Sequence, residues 1–495
     1  MYLHVRGSDG FRMKTVSQRL WVAPPIEDPD RSQSAVSPFL NSFPLGNDHS
    51  LLFNGLTGAI DILDRAEHGR LIAMTWTEAQ DDERAYLYSR GYLARPDVEA
   101  RLQDDLIQRA KADAGRHGIT FFLSPTNYCS MGCRYCLEGQ VPKTKQKRAM
   151  NQEQVDAAWN AMASICEQTG KSISYLTLFG GEPLQEFTVE SVQAILEGAA
   201  ARSVKVLIFT NGLSMDRFAP LLERHRDDIL AVHTTVDGPE PYHNSLRGYG
   251  DAYGRVSHAV NRLLEHRLPV MIRTNLTKAN INEIPALKQS YLDRGWWDNP
   301  LVTFELSPIT NHGDASALDG MELPHHQFAS TFYQLVTRDP SCLKFRHIGL
   351  FSHLHYLYDQ LGVLPFDHDD LGFSSVLPRI HACSANAQTG YALCADGTIH
   401  HCNEDSGDAE FSVGTFWPEF QIDAGRSGPW VARTVDTLAA CGHCSYRFVC
   451  AGGCSRHALR KYNDLAQPVC ESVRQDFQHT IEALQVPIRA KWGLA

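Results

Sequence analysis

The sequence predicts an α/β protein built around a parallel β-sheet, with a smaller α/β unit before the sheet and a cysteine-rich module after it. Three observations favour this organisation. Six apolar runs alternate with amphipathic helical patterns at the spacing of βαβ units. Hydrophobic residues make up 43% and charged residues 21% of the 495 residues, which is typical of a globular chain with a large core. Most of the 13 cysteines fall in two stretches, after the first apolar run and near the C-terminus.

The six apolar runs are predicted to be the strands of the sheet. Patterns such as NQEQVDAAWNAMASICEQ and VESVQAILEGAAA lie between them and place apolar residues at helical spacing. Such a sheet is either open or a partial (β/α)6 barrel of the TIM type, and in both cases functional residues lie at the carboxyl ends of the strands. The predicted strands cover residues 118–124, 173–179, 204–210, 230–236, 270–276 and 301–307.

We expect four segments along the chain. Residues 1–116 contain an α/β unit that resembles a winged helix, in which HSLLFNGLTGAIDIL should form a strand, an Asn-Gly turn and the entry to a helix. Residues 117–325 hold the parallel sheet, and residues 326–380 form a helical bridging region. Residues 381–495 form the cysteine-rich module and a C-terminal helix.

Charge and hydropathy limit the partners and the compartment. The net charge of −11 argues against nucleic acid as the main partner. One basic run, KTKQKR at residues 143–148, is either a solvated loop or a docking point for an acidic electron donor or peptide. Because no signal peptide and no long apolar window is present, we expect a cytoplasmic protein without membrane contact. In a reducing compartment, cysteines favour metal binding over disulfides.

Three cysteines lie within eight residues, directly after the first predicted strand. Cys129, Cys133 and Cys136 have the spacing C-x3-C-x2-C, so three thiolates can converge on one inorganic cluster. A closed tetrahedral zinc site needs four ligands, whereas three leave one metal position open to a small molecule. The spacing favours an iron–sulfur cluster over a zinc knuckle or three unrelated buried cysteines.

Polar residues follow the later strands at the same end of the sheet. The second strand ends in Gly180, Gly181 and Glu182, where glycines allow a ligand close to the backbone and the carboxylate suits an ammonium group. Thr210–Gly212 and Thr234–Pro239 end the third and fourth strands, and the fifth carries Arg273–Asn275. Each could be an ordinary turn, but together they predict a site across the mouth of the sheet.

These motifs resemble the radical S-adenosylmethionine (SAM) superfamily, roughly over residues 117–310. The resemblance implies that Cys129, Cys133 and Cys136 hold a [4Fe–4S] cluster whose open iron binds the amino and carboxylate groups of SAM. It further implies reductive cleavage of SAM to a 5′-deoxyadenosyl radical that abstracts hydrogen from a substrate. The cofactor-binding residues that it implies are Gly180, Gly181 and Glu182 at the methionine ammonium, Tyr135 near the adenine, Thr235 and Arg255 at the carboxylate or ribose, and also Asn211 and Leu306.

The C-terminal cysteines are similar to the seven-cysteine SPASM extension of radical enzymes that modify peptides and proteins. Two zinc-ribbon sites are the alternative. The similarity implies two auxiliary [4Fe–4S] clusters, and therefore three clusters in the chain. Their ligands would be Cys441, Cys444, Cys450 and Cys470 for one, and Cys383, Cys402 and Cys454 for the other. The second set is one thiolate short, and Cys394, Cys342, or an open or non-cysteine position could complete it.

The combined resemblance implies a maturase of ribosomally made peptides, which forms a C–C, thioether or C–O crosslink. Its partners would be a precursor peptide and a flavodoxin- or ferredoxin-type electron donor. Such enzymes commonly bind the precursor's leader as an added strand on an N-terminal domain, and LLFNGLTGAIDIL…LYSRGYLA is similar in pattern to these domains.

Two other functions stay open. One is an anaerobic sulfatase-maturating enzyme, which forms formylglycine. Those enzymes have a basic aspartate after the second SPASM cysteine, where this chain has Asn403, so Glu404 or Asp405 would have to act as the catalytic base. The other is a non-catalytic electron-transfer or zinc-binding scaffold.

Overall fold

The structure of the protein is a computed structural model that describes residues 13–17, 21, 33–75, 81–136, 147–310, 318, 320–347, 352–363, 377–470 and 473–494. It contains an antiparallel N-terminal unit, a parallel sheet covered by helices, and a C-terminal module whose strands extend that sheet. None of the helices in this part of the chain combines the length and apolar character that crossing a bilayer requires. The basic run predicted as a docking point lies mostly outside the described residues.

The N-terminal unit consists of short strands and three helices. Its elements are β1 (Met13–Thr15), β2 (Ala35–Val36), β3 (Leu40–Leu45), β4 (His49–Asn54), β5 (Ile60–Asp64), α1 (Arg65–Ala73), α2 (Asp81–Ser89), β6 (Leu93–Ala94) and α3 (Pro96–Ala114). Four strands form an antiparallel sheet in the order β1-β5-β4-β3, and β2 pairs with β6. Asp64 begins α1, since its side chain accepts a hydrogen bond from the N–H of Glu67.

The segment HSLLFNGLTGAIDIL is a β-hairpin, so the predicted helix entry in its second half is wrong. Strands β4 and β5 pair in antiparallel register. Asn54 shapes the turn, because its Oδ1 accepts hydrogen bonds from the N–H groups of Leu56 at 2.8 Å and Thr57 at 2.9 Å. Four of the five β5 residues are buried, which suits a central strand better than an amphipathic helix.

The parallel sheet confirms the six predicted strands, each to within two residues at either end. Its elements are β7 (Ile119–Ser124), α4 (Gln152–Thr169), β8 (Ile173–Leu178), α5 (Val189–Ala201), β9 (Val206–Phe209), α6 (Met215–Arg224), β10 (Ile229–Thr235), α7 (Glu240–Arg247), α8 (Ala252–Glu265), β11 (Val270–Leu276), α9 (Ile284–Asp293) and β12 (Val302–Pro308). Strands β7 to β12 lie side by side in chain order and all run parallel. A doubly wound sheet would reverse its strand order, so this order is that of a (β/α) barrel segment.

Sequence signals place the helices against the sheet. Asn151 and Gln154 form a reciprocal capping box at the start of α4, and Gly170 ends this helix in the left-handed conformation with φ +67°. The buried face of α4 includes Trp159 and Met162, which join the core between the helices and the strands. Strand direction and helix ends together bring all the strand–helix loops to one edge of the sheet.

The remaining elements follow the parallel sheet in the chain, and their strands extend the sheet at both sides. They are α10 (His325–Arg338), β13 (Phe345–His347), α11 (Ser352–Leu361), β14 (Gly390–Cys394), β15 (Thr398–His400), β16 (Gly414–Thr415), β17 (Gln421–Ile422), α12 (Ala424–Ala432), α13 (Arg447–Cys450), α14 (Ser455–Tyr462), α15 (Val473–Ala483) and α16 (Gln485–Trp492). Strand β13 pairs with β12, and β14 pairs in parallel with β7. The cysteine-rich module is therefore anchored beside the strand that leads to the first cysteine motif.

The N-terminal unit packs on the cysteine-rich module. The Oγ of Ser445 donates a 2.7 Å hydrogen bond to Oδ1 of Asn41 in β3. Phe53 of β4 contacts the rings of Tyr446 at 6.2 Å and Phe477 at 4.7 Å between centroids. These contacts bury apolar surface from three distant parts of the chain in one place.

Candidate active site

The first cysteine motif lies on the loop after β7. The thiols of Cys129, Cys133 and Cys136 are half-buried. The N–H of Cys136 donates to the carbonyl of Cys133 at 3.2 Å, and Nδ2 of Asn211 lies 3.9 Å from Sγ of Cys129. The loop therefore folds back on itself. It also contacts the residues that follow β9, as expected for loops at the carboxyl ends of neighbouring parallel strands.

Gly181 brings the loop after β8 against the cysteine loop. A Cβ at this position would lie 2.6 Å from the carbonyl oxygens of both Thr126 and Tyr128. The φ of Gly181 is +48°, a conformation that favours glycine. The N–H of Glu182 donates to the carbonyl of Tyr128 at 2.8 Å. Only a glycine allows this approach, which explains one half of the Gly-Gly pair.

The Glu182 carboxylate is buried and is bound by protein donors. It accepts hydrogen bonds from Oγ1 of Thr210 at 2.6 Å, from the N–H of Asn211 at 2.6 Å and from the N–H of Leu184 at 2.9 Å. Burial raises the pKa of Glu182, and these hydrogen bonds oppose the rise. The side chain thus ties the loop after β8 to the loop after β9, while its predicted contact with an ammonium group stays a prediction.

Tyr135 belongs to a buried polar network that the sequence reveals only in part. Its hydroxyl donates to Oδ2 of Asp237 at 2.8 Å and accepts from the guanidinium of Arg247 at 2.5 Å. Oδ1 of Asp237 accepts from the N–H of Asn275 at 3.1 Å. Burial raises the pKa of Tyr135 well above its usual value. Asp237 stands in the TTVDGP motif, whereas Arg247 lies at the end of α7, where the sequence gives no signal.

Arg255 is the arginine that the resemblance implies, but the structure places it elsewhere. It is exposed on α8, whose buried face carries Tyr253 and Val256. Position 255 therefore faces solvent, and the structure brings Arg247, not Arg255, to Tyr135. Thr235 is half-buried at the end of β10, in register with Arg273 of β11.

Leu306 is a second correction. Its side chain is fully buried in the hydrophobic core on the face that carries Phe304, whose ring stacks on Tyr291 at 4.8 Å. Because side chains alternate along a strand, the opposite face of β12 carries Glu305 and Ser307. The Leu306 side chain is thus directed to the helix layer and away from the polar face of the sheet.

The polar face of the sheet holds three charged or titratable residues that the sequence analysis did not single out as a group. Oε1 of Glu305 lies 3.4 Å from NH1 of Arg273 and 3.6 Å from Nε2 of His233. NH2 of Arg273 also donates to Oγ of Ser307 at 2.6 Å. Burial and the Arg273 charge lower the pKa of His233 well below its usual value, so the ring is neutral.

The C-terminal thiols form two groups. The pKa of Cys402 is raised far above the usual value by burial and by neighbouring negative groups, which include Cys454 and Cys383. Burial, with Cys444 and Cys470 as neighbours, also raises the pKa of Cys441. The thiol neighbours of Cys402 are the other two members of one implied ligand set, and those of Cys441 are two members of the other, so the division into two sets stays a prediction that these neighbours support. The raised pKa values favour the protonated thiols, whereas a bound metal or cluster would favour the thiolates.

Arg433 is a buried cation whose charge interacts with thiols of both implied ligand sets, and no sequence pattern indicates it. Its guanidinium is buried and donates to the carbonyls of Gly452 at 2.8 Å and Gln467 at 2.9 Å. Burial lowers the pKa of Arg433, while Cys383 and Cys441 oppose this effect. One cation therefore acts on both groups.

Cys394 and Cys342 occupy different surroundings. Cys394 is fully buried at the end of β14, with its Cα in register with Ser124 of β7. Cys342 is buried beside Asp339, and burial raises the pKa of its thiol to about 11. The Sγ of Cys342 lies 3.6 Å from Oδ2 of Asp339, just after α10, so its role as a ligand of the second set stays a prediction without a supporting contact among the described residues.

Asp405 is held by arginines, which contradicts its assignment as a catalytic base. Its Oδ1 accepts from Nε of Arg456 at 2.9 Å and from NH2 of Arg460 at 2.8 Å, and Asp405 is buried. Two guanidinium groups therefore donate to the same oxygen of this carboxylate. Glu404 is half-buried, and its Oε2 lies 3.9 Å from NH1 of Arg456.

The loop that carries Glu404 lies against the first cysteine loop. A Cβ at Gly407 would lie 3.1 Å from Nδ2 of Asn127, two residues before Cys129. Gly407 has φ +80°. The cysteine-rich module thus reaches the mouth of the parallel sheet, so both cysteine regions border one site.

Residues 123–289 match the family model described as Radical SAM superfamily. The chain contains a radical SAM domain. A curated relative is the sporulation killing factor maturation protein SkfB of Bacillus subtilis strain 168, with 21% identity over 177 residues. That match covers 36% of this chain and 40% of SkfB, so the chain spans about two fifths of the length of this relative.

Solved structures share the fold beyond the radical SAM domain. The structure of anSMEcpe with bound AdoMet covers 77% of this chain and 96% of its own, at a TM-score of 0.55 and 14% identity. Streptococcus suis SuiB bound to the precursor peptide SuiA covers 89% of this chain and 100% of its own, at a TM-score of 0.53 and 16% identity. At these identities the likeness establishes the mixed α/β fold.

A radical SAM domain implies a [4Fe–4S] cluster and SAM, and the residues present fit both groups. Three thiols, which suit iron–sulfur ligation, lie on one loop. Beside them, Gly181 lets the loop after β8 pack against the backbone of the cysteine loop, and the Asn211 amide lies 3.9 Å from Sγ of Cys129. These three loops lie at the carboxyl ends of β7, β8 and β9.

Proposed function

We propose that the protein is a radical SAM peptide maturase, which removes hydrogen from a ribosomally made precursor peptide and leaves a C–C, thioether or C–O crosslink. The observation that carries this proposal is the contact between Gly407 and Asn127, which brings the cysteine-rich module to the radical SAM domain. The likeness to a maturation protein and to a structure bound to a precursor peptide supports a peptide substrate.

Cys129, Cys133 and Cys136 would hold the [4Fe–4S] cluster, with SAM beside Gly181 and Asn211. When bound, the cluster and SAM supply a 5′-deoxyadenosyl radical, which takes hydrogen from the substrate. The chain's own residues shape the site. Glu182 holds the loop after β8 by its hydrogen bond with Thr210. Tyr135 holds the cysteine loop by its hydrogen bonds with Asp237 and Arg247.

The C-terminal thiols would hold two auxiliary clusters, and the electrostatic neighbours of Cys402 and Cys441 support this division. Cys441, Cys444, Cys450 and Cys470 are the proposed ligands of one, and Cys383, Cys402 and Cys454 of the other. Arg433 would offset part of the negative charge of both. The fourth ligand of the second cluster stays open, with Cys394 as a candidate.

Glu404 is the proposed base for the substrate proton. It is half-buried on the loop that reaches the first cysteine region, whereas Asp405 is engaged by two arginines. A crosslink removes two hydrogen atoms from the peptide. The 5′-deoxyadenosyl radical would take one of them, and the other would leave as a proton, which Glu404 would accept, and an electron, which an auxiliary cluster would accept.

The N-terminal sheet would bind the leader of the precursor as an added strand. Its free edges are β1 and β3 among the described residues. Pro44 in β3 has no N–H, which makes that edge a poor template for another strand. We therefore place the leader at the β1 side. Hydrogen exchange with and without precursor would test this, because protection at β3 alone would contradict it.

The test of the function uses protein purified and reconstituted without oxygen, with a flavodoxin- or ferredoxin-type protein as reductant. Three clusters predict about twelve irons per chain and a broad absorption of iron–sulfur character. Reduction with SAM should form 5′-deoxyadenosine, and a cognate precursor should lose the mass of two hydrogen atoms. A colourless protein that holds only zinc would contradict the proposal and support a scaffold.

Formylglycine formation is the second candidate, because anSMEcpe shares the fold. A hydrazide reagent that labels the product aldehyde would identify it. In the crosslinking reaction no aldehyde forms, so the two functions give different products from the same assay.

A further inference from the structure

Three metal-ligand side chains meet outside the radical SAM domain and away from the cysteines. His325 begins α10, His353 lies in α11 and Asp476 lies in α15. Oδ2 of Asp476 is 3.5 Å from Nδ1 of His325 and 3.5 Å from Nε2 of His353. The three ligand atoms all lie within 4.8 Å of one another.

Two of these three groups are buried. Asp476 is fully buried and His353 is only 3% exposed. Nε2 of His353 lies 3.5 Å from Oδ2 of Asp476 and makes no hydrogen bond of normal geometry among the residues that the structure describes. A buried nitrogen without a good hydrogen bond costs about 1–3 kcal/mol, which a bonded ion would relieve.

The spacing of the three atoms fits a metal ion. Zinc binds histidine nitrogen and carboxylate oxygen at about 2.0–2.1 Å, so two ligand atoms in a tetrahedral site are roughly 3.3–3.5 Å apart. Both separations from Asp476 are 3.5 Å, longer than the usual hydrogen bond between such groups. The two histidine nitrogens lie within 4.8 Å of each other, so the rings would turn toward an ion placed between the three side chains.

Neighbouring groups hold the ligands in place. Oδ1 of Asp476 accepts hydrogen bonds from the N–H and from Nδ1 of His326, each at 3.2 Å, which leaves Oδ2 to face the other two ligands. The ring of His353 stacks on Phe477 at 5.9 Å with an interplanar angle of 12°. Hydrogen bonds and packing of this kind commonly orient the ligands of a metal.

We propose that His325, His353 and Asp476 bind one divalent transition-metal ion, with zinc as the best fit and water as the fourth ligand. Imidazole and carboxylate ligands suit this ion. The site would tie α15 to α10 and α11. Phe477, next to Asp476, contacts Phe43 and Phe53, so the ion would also support the docking of the N-terminal sheet.

Zinc K-edge X-ray absorption on the cluster-loaded protein tests the site directly. The protein is dialysed without oxygen, and zinc and iron are counted by mass spectrometry. We expect one zinc per chain with nitrogen and oxygen ligands at about 2.0–2.1 Å and imidazole scattering. Sulfur ligands at about 2.3 Å would place zinc at the cysteines and overturn the proposal, as would a protein without stoichiometric zinc.

His353→Phe removes one ligand but keeps a ring against Phe477. We expect zinc affinity to fall by more than about 100-fold, with iron content unchanged. His258→Phe, at an exposed histidine on α8, is the control and should keep its zinc. Equal zinc in His353→Phe and the unaltered protein would overturn the proposal. If His353→Phe fails to fold, the absorption spectrum of the unaltered protein still decides, and neither readout depends on the proposed peptide chemistry.

Discussion

The hydroxyl of Tyr135 donates a 2.8 Å hydrogen bond to Oδ2 of Asp237, which joins the first cysteine loop to the end of β10. Arg247 completes the network by donating to the same hydroxyl. The Tyr135 hydroxyl thus bridges two buried side chains, Asp237 and Arg247. Because Tyr135 directly precedes Cys136, these hydrogen bonds hold the cysteine loop in place.

Tyr135→Phe should loosen this loop. The change removes one hydroxyl and leaves buried polar groups on Asp237 and Arg247 without it, which costs about 1–3 kcal/mol. We expect a lower free energy of unfolding and weaker SAM binding by the reconstituted protein. Tyr175→Phe, at a half-buried position in β8, is the matched control. Equal SAM affinity for both variants would show that the network does not position the site.

Gly181→Ala should prevent the loop after β8 from meeting the cysteine loop. Its Cβ would overlap two backbone carbonyls at 2.6 Å, and backbone atoms cannot turn away as a flexible side chain can. We expect loss of SAM-dependent 5′-deoxyadenosine formation and less iron at the first cluster. Gly250→Ala places a Cβ where no atom lies within 4 Å and should behave like the unaltered protein. Full turnover by Gly181→Ala would show that the site does not require this close packing of the two loops.

Asp405→Asn and Glu404→Gln separate a structural carboxylate from a candidate base. Loss of the Asp405 charge breaks its buried ion pair with Arg456, which costs about 3–5 kcal/mol. Glu404→Gln should leave stability nearly unchanged but slow peptide conversion more than SAM cleavage. Denaturant unfolding and the ratio of product to 5′-deoxyadenosine measure the two effects. Normal conversion by Glu404→Gln would remove Glu404 as the base.

The strands of the parallel sheet could be predicted because each carries several apolar residues between two helical patterns. The prediction for Leu306 overlooked the alternation along β12, which places Glu305 and Ser307 on the polar face and Leu306 on the other. Arg255 was expected near the cofactor, but it lies on the exposed face of α8, since its neighbour Val256 faces the core.

Partners that are distant in the chain were beyond the reach of the sequence. Asp405 has its role from Arg456 and Arg460, which lie on α14, and no local pattern links them. The same holds for Arg433, which donates to the backbone carbonyls of Gly452 and Gln467. The hairpin formed by β4 and β5 was missed in its second strand, because a short apolar run after a turn fits the start of a helix as well as a strand.

Cys394→Ala tests the missing ligand of the second auxiliary cluster. Cys394 ends a strand paired with β7, whereas the thiols that raise the pKa of Cys402 are Cys454 and Cys383. We therefore expect iron content to stay near twelve per chain, about four for each of three clusters. Cys383→Ala is the positive control and should lose iron. A loss of iron in Cys394→Ala equal to that in Cys383→Ala would make Cys394 the ligand.

Arg433→Met should destabilise both auxiliary sites while sparing the first cluster. The change keeps much of the apolar stem but removes the donors to the carbonyls of Gly452 and Gln467, and the buried cation beside the thiols. We expect lower iron content and a lower melting temperature, with SAM cleavage retained on the cluster of the Cys129 loop. Arg426→Met, at an exposed arginine that donates to the Ser412 carbonyl at 2.9 Å, is the control. If Arg433→Met keeps its full iron content, the two thiol groups do not depend on a shared cation, and the proposed coupling between the auxiliary sites fails.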